Sequence, residues 1–267
     1  MKLVFSLAFR DDTYTHIPLI PIVSLFLVWT NRKSVFSRIV DRSWLGICVL
    51  TLGVITLLLA RMNALNVRQS NQLSLVILGL VLFWIGAFGV FFGSHAFRQA
   101  RFPLLFLLFM VPIPEPALSE IIFLLQVGSA KAAAGIFSLL GIPYLQNGLI
   151  FSLPGVAIRV AEECSGIRST LALLIMTVLA GRMFLKATWQ QVLVCLLAVP
   201  LSVAKNGLRI ATLSALAIYV DPGFLHGTLH QYGGMFFFAA AFLPLAGFFV
   251  LLQRSGVQPH KRSATVS

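Results

Sequence analysis

A cysteine, an arginine and a histidine stand at polar points of a chain that is otherwise strongly apolar. Cys164 lies in the polar segment AEECSGIR, residues 161–168, directly before an apolar run. Arg209 ends the tetrapeptide NGLR inside a later apolar run, and His230 precedes the last one. A thiol, a guanidinium and an imidazole can serve as nucleophile, anion stabiliser and general base. These three residues are therefore the predicted catalytic groups.

The surroundings of Cys164 favour a reactive thiol. The Ser-Gly pair that follows it suits the start of a helix, where unpaired N–H groups and the positive end of the dipole favour a thiolate. Arg168 adds a positive charge one turn later, whereas Glu162 and Glu163 oppose ionisation of the thiol. We expect these glutamates to orient arginines or to contact the substrate. The alternative is a cysteine with a structural role only.

Arg209 and two histidines supply the other candidate groups. An arginine inside an apolar helix is costly unless it meets an anion or water, so we expect Arg209 to stabilise an oxyanion or the thiolate. Snorkelling to the outer headgroups is the alternative. Asn206 lies one turn earlier and is placed to orient Arg209. His226 and His230 are one helical turn apart, and the glycines at 233–234 favour His230 as the general base, with His226 as the weaker candidate.

The sequence predicts no metal and no cofactor. His226 and His230 enclose GTL and lack the glutamate of a zinc-peptidase motif, so a site made of them and Cys164 would be improvised. A Gly-x-Ser-x-Gly serine motif is also absent from the sequence.

The composition requires a membrane. Of the 267 residues, 58% are hydrophobic and only 10% are charged, so the bilayer is the expected solvent. The first apolar run follows Asp11 and Asp12 without a basic start, which predicts a retained helix and not a signal peptide. Cys48 and Cys195 lie inside apolar runs and are expected to be buried. The net charge of +12 does not indicate nucleic-acid binding, because the basic residues are scattered among loops.

Eight apolar runs predict an all-α, polytopic integral membrane helical bundle, with about seven or eight transmembrane helices and an outer interfacial helix. We expect one integral membrane domain over residues 1–267, with a short basic cytoplasmic tail at 254–267. The apolar runs lie near residues 17–30, 44–60, 73–94, 102–112, 117–140, 167–181, 189–220 and 231–253.

The distribution of lysine and arginine predicts the orientation. Loops 31–43, 95–101 and 182–188 and the tail carry most of the loop cations and are assigned to the cytoplasm, which leaves Asp41 as the only cytoplasmic acidic residue. Because one helix separates Arg182 from Cys164, Cys164 is expected to face outside.

Residues between Arg101 and Cys164 should then cross the membrane only once. Run 117–140 is expected to form an amphipathic helix on the outer interface, with a full crossing as the competing option. Residues 147–163 are expected to form an extended outer segment. The polar residues behind the interfacial prediction are Glu120, Gln126, Ser129 and Lys131.

The depth of Arg209 follows from helical rise. A helix that starts at Trp189 reaches Arg209 after about 20 residues, or about 30 Å, which is one hydrocarbon thickness. Lys205 and Arg209 stay within this helix. We therefore expect Arg209 near the outer face, level with Cys164 and His230.

These motifs resemble those of the exosortases, membrane-embedded cysteine transpeptidases related to archaeosortases. The resemblance extends from about residue 14 to residue 234 and implies that Cys164, Arg209 and His230 are catalytic. Its most specific parts are VAEECSGIRS at 160–169 and NGLRI at 206–210, supported by PIP at 112–114 and HQYGG at 230–234.

The resemblance also implies a substrate and a location. It implies an enzyme that cleaves the C-terminal sorting signal of exported proteins, which consists of a Pro-Glu-Pro motif, a hydrophobic helix and a basic tail. Transfer to a cell-surface acceptor and a link to exopolysaccharide production are implied. The implied location is the bacterial plasma (inner) membrane, with the active site facing the periplasm. The expected partners are such substrates and the lipid bilayer. The chain's own PEP, residues 114–116, is expected to be a loop.

Two other functions stay open. One is an intramembrane protease of the glutamate type, which Glu162, Glu163 and Arg168 superficially suit, although the spacing to the arginine is one residue too long. The other is a non-enzymatic permease or assembly factor in polysaccharide export, with Arg209 and His230 along the substrate path.

Overall fold

Helices make up most of the structure, which is a computed structural model. The architecture of the described residues is all-α with one small sheet, so the predicted fold class is confirmed. Contacts divide the chain into an N-terminal unit, Met1–Ser119, and a C-terminal unit, Glu120–Ser267. The residues that the structure describes are 14–37, 43–62, 69–162, 165–225 and 234–255.

In the N-terminal unit, helices α3 and α4 approach each other closely through glycines. A methyl group on Gly53 would lie 2.5 Å from the Phe83 nitrogen, and one on Gly86 would lie 2.2 Å from the Leu50 nitrogen. Small residues allow this backbone-to-backbone approach in membrane helices. The helices of this unit are α1 (Leu19–Thr30), α2 (Arg32–Val35), α3 (Trp44–Arg61), α4 (Gln69–Gln99) and α5 (Arg101–Phe106).

Two expected loops of this unit are largely helical. Residues 95–101 were expected to be a loop, but α4 continues to Gln99 past a kink at Gly93, whose φ of 81° favours glycine. The predicted loop at 114–116 is wrong for its last two residues, because the next helix begins at Glu115. The Glu115 N–H donates to Oδ1 of Asn71 at 2.8 Å, and Pro116 is tolerated in a first helical turn.

The C-terminal unit contains three long helices, a small sheet and most of a fourth helix, which begins at Glu115 just before the unit boundary. Buried Leu173, Val194 and Leu245 belong to one core cluster of this unit, and Phe137 and Phe151 belong to another. Its elements are α6 (Glu115–Leu139), β1 (Leu145–Asn147), β2 (Ile150–Leu153), β3 (Val156–Arg159), α7 (Ile167–Phe184), α8 (Thr188–Tyr219) and α9 (Gly234–Ser255).

The sheet confirms the extended conformation predicted after residue 147, as far as Arg159. Strands β1, β2 and β3 form an antiparallel meander, with Gly148 and Gly155 at positive φ in the turns. Phe151 is fully buried, and its ring lies 5.5 Å from that of Phe137 on α6. The sheet is therefore held against α6 by aromatic packing.

Six helices in the described part of the chain are long and apolar enough to cross a bilayer, namely α3, α4, α6, α7, α8 and α9. Two shorter apolar helices correspond to the predicted runs 17–30 and 102–112. They are α1 and the stretch Arg101–Met110, which consists of α5 and the 3₁₀ helix Leu107–Met110 that follows it. The chain is therefore a multi-pass membrane protein.

Two of the four polar residues that suggested an interfacial α6 are buried in protein. Gln126 and Ser129 are buried, whereas Glu120 and Lys131 are exposed. With 25 residues, α6 also has the length of a full crossing, which was the competing prediction.

Helix α8 has the length of the predicted run 189–220 and is shifted by one residue. Its 32 residues rise about 48 Å, more than one hydrocarbon thickness of about 30 Å. It continues to Tyr219, beyond Arg209, so the depth of Arg209 depends on where the bilayer lies along α8. The position of Arg209 near the outer face of the membrane, level with Cys164 and His230, stays a prediction.

Candidate functional site

Three of the seven predicted site residues lie in the described part of the chain. Arg168 is the second residue of α7 and is exposed, whereas Asn206 and Arg209 lie on α8 and are buried and half-buried, respectively. Outside the described residues lie the other four predicted site residues: Glu163, Cys164, His226 and His230.

Helix α7 begins where the sequence predicted, directly after Gly166. Gly166 has a left-handed φ of 76°, and its carbonyl accepts hydrogen bonds from the Ser169 and Thr170 hydroxyls, both at 2.9 Å. Ser165 is buried, and its hydroxyl accepts from the Ile167 N–H at 3.3 Å. The turn that follows Cys164 is thus tied together by hydroxyl groups of the first turn of α7.

This turn contacts the NGLR motif of α8. A methyl group added to Gly166 would lie 3.2 Å from Cγ of Asn206. A side chain at this position would therefore press on Asn206, in addition to the strain of the positive φ. The two motifs that the sequence analysis singled out are neighbours in space, although 40 residues separate Gly166 and Asn206 in the chain.

Helix α6 supports both motifs with polar side chains one turn apart. Asn206, only 1% exposed, donates from Nδ2 to the Ser129 hydroxyl at 3.0 Å. Gln126 donates from Nε2 to the Val160 carbonyl at 2.9 Å, four residues before Cys164. Residues on both sides of the undescribed pair 163–164 are therefore anchored, at Val160 by α6 and at Gly166 by α7 and α8.

The glycine of NGLR permits close packing of α6 on α8. A methyl group on Gly207 would lie 2.4 Å from Cβ of Ala132 and 3.0 Å from the Ala133 nitrogen. Both distances are too short for ordinary contacts, so α6 would have to move. Gly207 thus sets the separation at which Ser129 can reach Asn206.

A buried lysine belongs to the same cluster. Lys205 is 8% exposed, and its Nζ donates to the Ser169 hydroxyl on α7. Lys205 lies one turn before Arg209 on α8, a spacing that brings two positive charges together. Nearby, the Thr170 and Ser202 hydroxyls share a hydrogen bond of 2.6 Å, which also joins α7 to α8.

The sequence analysis did not name Lys205 as a site residue. It considered Lys205 only when it assigned the lysines and arginines to the two sides of the membrane. The sequence did contain a signal, since a lysine inside an apolar helix is as costly to bury as the arginine at position 209. Gln126 and Ser129 were noticed, but they were taken as signs of an amphipathic helix on the outer interface.

The cluster offers positive charge and hydroxyl groups. Lys205 of α8 hydrogen-bonds to Ser169 in the first turn of α7, which also contains Arg168 and has the positive end of the helix dipole. Arg209 lies one turn after Lys205 on α8. Such a set suits the binding of an anion or of a developing oxyanion. Within the described ranges, no group of three or more His, Cys, Asp or Glu could hold a metal ion.

The chain is thus a multi-pass helical membrane protein with a cluster of cationic, amide and hydroxyl side chains between α6, α7 and α8. The model of the transmembrane exosortase family matches residues 8–247. The chain therefore belongs to the transmembrane exosortase family. No curated protein and no solved structure matches it.

Proposed function

We propose that the chain is a membrane-embedded cysteine peptidase and transpeptidase that cleaves the C-terminal sorting signal of exported proteins. The substrates would carry a Pro-Glu-Pro motif, a hydrophobic helix and a basic tail, and the product would pass to a cell-surface acceptor. A bacterial inner-membrane location, a periplasmic site and a link to exopolysaccharide production are parts of the same proposal. Membership of the exosortase family supports it.

One observation carries the proposal: Gly166 packs against Asn206. Cys164 precedes Gly166 by two residues, and Arg209 follows Asn206 by three residues on α8. A nucleophile and a cationic stabiliser from distant parts of the chain would thus meet at one place, as covalent catalysis requires.

In the proposed mechanism, Cys164 attacks the carbonyl carbon of the scissile peptide bond. Arg209 stabilises the developing oxyanion, and His230 protonates the departing amine. The resulting thioester is then resolved by an acceptor nucleophile or by water. Arg168, Glu163, Asn206 and His226 would support these groups or contact the substrate. A substrate that diffuses laterally arrives already oriented, which lowers the entropic cost of the encounter.

The decisive experiment replaces Cys164 by alanine or serine in cells that produce a tagged Pro-Glu-Pro substrate. Processing is followed by the size of the tagged protein on immunoblots. We expect processing to fall to background in both variants, while Cys48→Ala and Cys195→Ala, the matched cysteine controls, process normally. Normal processing by the Cys164→Ala variant, at an equal protein level, would remove the cysteine mechanism.

Further variants separate the two other functions. A glutamate-type protease requires Glu162, so Glu162→Gln would abolish processing while Cys164→Ala retains it. A permease or assembly factor predicts no processing phenotype in any of these variants. We expect Glu162→Gln to retain processing.

A further inference from the structure

A groove at the end of α1, in the N-terminal unit, has apolar walls and two cations. It encloses about 440 Å³. We propose that it binds one anionic phospholipid, with the phosphate at Arg32 and Lys33 and an acyl chain along the apolar walls. None of the residues in the proposed reaction belongs to this groove. Its lining consists of the two cations and of four apolar side chains, those of Leu25, Val28, Trp29 and Phe36.

The lining residues share one face of the chain. Positions 25, 28, 29, 32, 33 and 36 have the spacing of one helical face, although α1 ends at Thr30 and α2 begins at Arg32. Seven residues of helical rise separate Leu25 from Arg32, which corresponds to about 10 Å. The groove therefore changes from apolar to cationic along its length, in the order in which a phospholipid changes from acyl chain to phosphate.

The sequence after α1 indicates the depth of the groove in the membrane. Residues 30–34, TNRKS, are all polar and exposed, so the cationic end belongs at the membrane–water interface. Leu25 is 70% exposed on an apolar helix of 12 residues and is expected to face the hydrocarbon. Trp29 lies between these two levels, where tryptophan is enriched in membrane proteins.

Contacts within the groove hold the Arg32 guanidinium group in place. Its central carbon lies 4.5 Å from the centroid of the Trp29 ring, and Nη1 donates to the Trp29 carbonyl at 3.1 Å. A guanidinium group has five N–H donors, so most of them remain available for a phosphate, which arginine often binds through two parallel hydrogen bonds. Lys33 is exposed beside it and adds a second positive charge.

Phe36 provides a wall that α4 holds in place. Its ring centroid lies 5.0 Å from that of Phe92 and 6.4 Å from that of Phe88. Val35, the preceding residue, is buried. Aromatic packing against α4 thus fixes this wall of the groove, and the groove exists before any lipid enters it.

The charge of the groove determines which lipid it favours. No carboxylate of the described residues pairs with Arg32 or Lys33. A zwitterionic phospholipid would bring its own cation to them, and the basic tail of the proposed substrate would be repelled. Each lysine or arginine near an anionic lipid surface favours binding by about fivefold. The groove therefore suits a phospholipid with a net negative charge.

The test measures which lipid quenches the fluorescence of Trp29. The full chain carries Trp44→Phe, Trp84→Phe and Trp189→Phe, three exposed positions, so that Trp29 is its single tryptophan. It is reconstituted into phosphatidylcholine vesicles that contain a small, equal mole fraction of brominated phosphatidylglycerol or of brominated phosphatidylcholine. Bromine quenches at short range, so the ratio of the two quenching effects reports the preference of the groove. We expect a preference for phosphatidylglycerol of up to about 25-fold, or about fivefold for each cation.

Variants of the two cations separate this groove from the general charge of the surface. Arg32→Gln and Lys33→Gln should each lower the preference by about fivefold, and the double variant should quench equally with both lipids. Arg32→Lys keeps the charge and should largely keep the preference. Lys186→Gln is the matched control, since Lys186 is exposed between α7 and α8 and does not line the groove. It should leave the preference unchanged.

Three results would overturn the proposal. The first is equal quenching by the two brominated lipids in the chain with both cations. The second is an equal loss of preference in Lys33→Gln and Lys186→Gln, which would mean diffuse attraction to the whole basic surface. The Lys33 ammonium group has no hydrogen-bond partner among the described residues, so this result can be obtained even if Arg32→Gln does not fold. The third is a preference that appears only in Asp41→Asn, because the chain's own carboxylate would then neutralise the groove.

Discussion

The two units differ in what fills the space between neighbouring helices. In the N-terminal unit, α3 and α4 meet through glycine contacts such as those of Gly53 and Gly86. Of its described residues, the buried polar side chains are three serines, Ser24, Ser43 and Ser74. Packing in this unit requires little more than complementary shape.

The C-terminal unit adds amides and a charge to its helix contacts. Gln126, Lys205 and Asn206 are buried there together with hydroxyl groups of α6, α7 and α8. Buried polar side chains in membrane helices are costly, and they often mark functional sites. Under the proposed function, we expect the polar contacts of the C-terminal unit to serve function as well as stability. Each prediction below compares a variant at a residue of this cluster with a variant at a matched residue of the N-terminal unit.

The largest effect is expected for Arg209→Gln, compared with Arg98→Gln on α4. Removal of one oxyanion donor costs about 10²–10³-fold in rate, so processing of the tagged substrate should fall by that factor in Arg209→Gln. Arg98 is exposed, and its variant should stay within about twofold of the original rate. A rate in Arg209→Gln within about twofold of the original chain would contradict the assignment of Arg209 to the reacting atoms.

The second comparison adds one methyl group in each unit. Gly207→Ala would place Cβ 2.4 Å from Cβ of Ala132, and Gly53→Ala would place it 2.5 Å from the Phe83 nitrogen. Overpacking of this kind costs about 1–3 kcal/mol, so both variants should unfold at lower temperature in detergent. Only Gly207→Ala should also lose processing per folded molecule, by up to about 10²-fold, because it displaces α6 from Asn206.

A result with equal losses of processing in both glycine variants would mean that activity follows stability alone. The proposed difference between the units would then be wrong. Lowered stability with normal processing in Gly207→Ala would show that the α6–α8 separation does not control the site.

Sequence reasoning found the helices because hydropathy is a local property. Run 167–181 became Ile167–Phe184, and run 189–220 became Thr188–Tyr219. The kink at Gly93 escaped prediction, because its glycine looks in sequence like the packing glycine Gly86 only seven residues earlier.

The candidate site was only partly predictable, since its contacts join residues far apart in the chain. The helical rise suggested that the Cys164 and Arg209 motifs share one level, but it could not reveal that Gly166 touches Asn206. A polar residue type also does not show whether its partner is water or protein. Gln126 was therefore taken as a sign of an amphipathic helix on the outer interface, although it donates to the Val160 carbonyl.

The smallest effect is expected for single hydroxyl deletions, Ser202→Ala and Ser24→Ala. Ser202 shares a 2.6 Å hydrogen bond with Thr170 beside the cluster, and Ser24 donates to the Pro103 carbonyl at 2.8 Å in the N-terminal unit. Hydrogen bonds between membrane helices contribute about 0.6 kcal/mol on average, so both variants should lose a similar, small stability in thermal unfolding. Processing should fall about threefold in Ser202→Ala, since about 0.6 kcal/mol corresponds to that factor, and should not change in Ser24→Ala. Because both variants lose the same chemical group, a difference in processing would come from the location of Ser202 next to Lys205. Equal processing rates would instead restrict the functional cluster to the side chains of Lys205, Asn206 and Arg209.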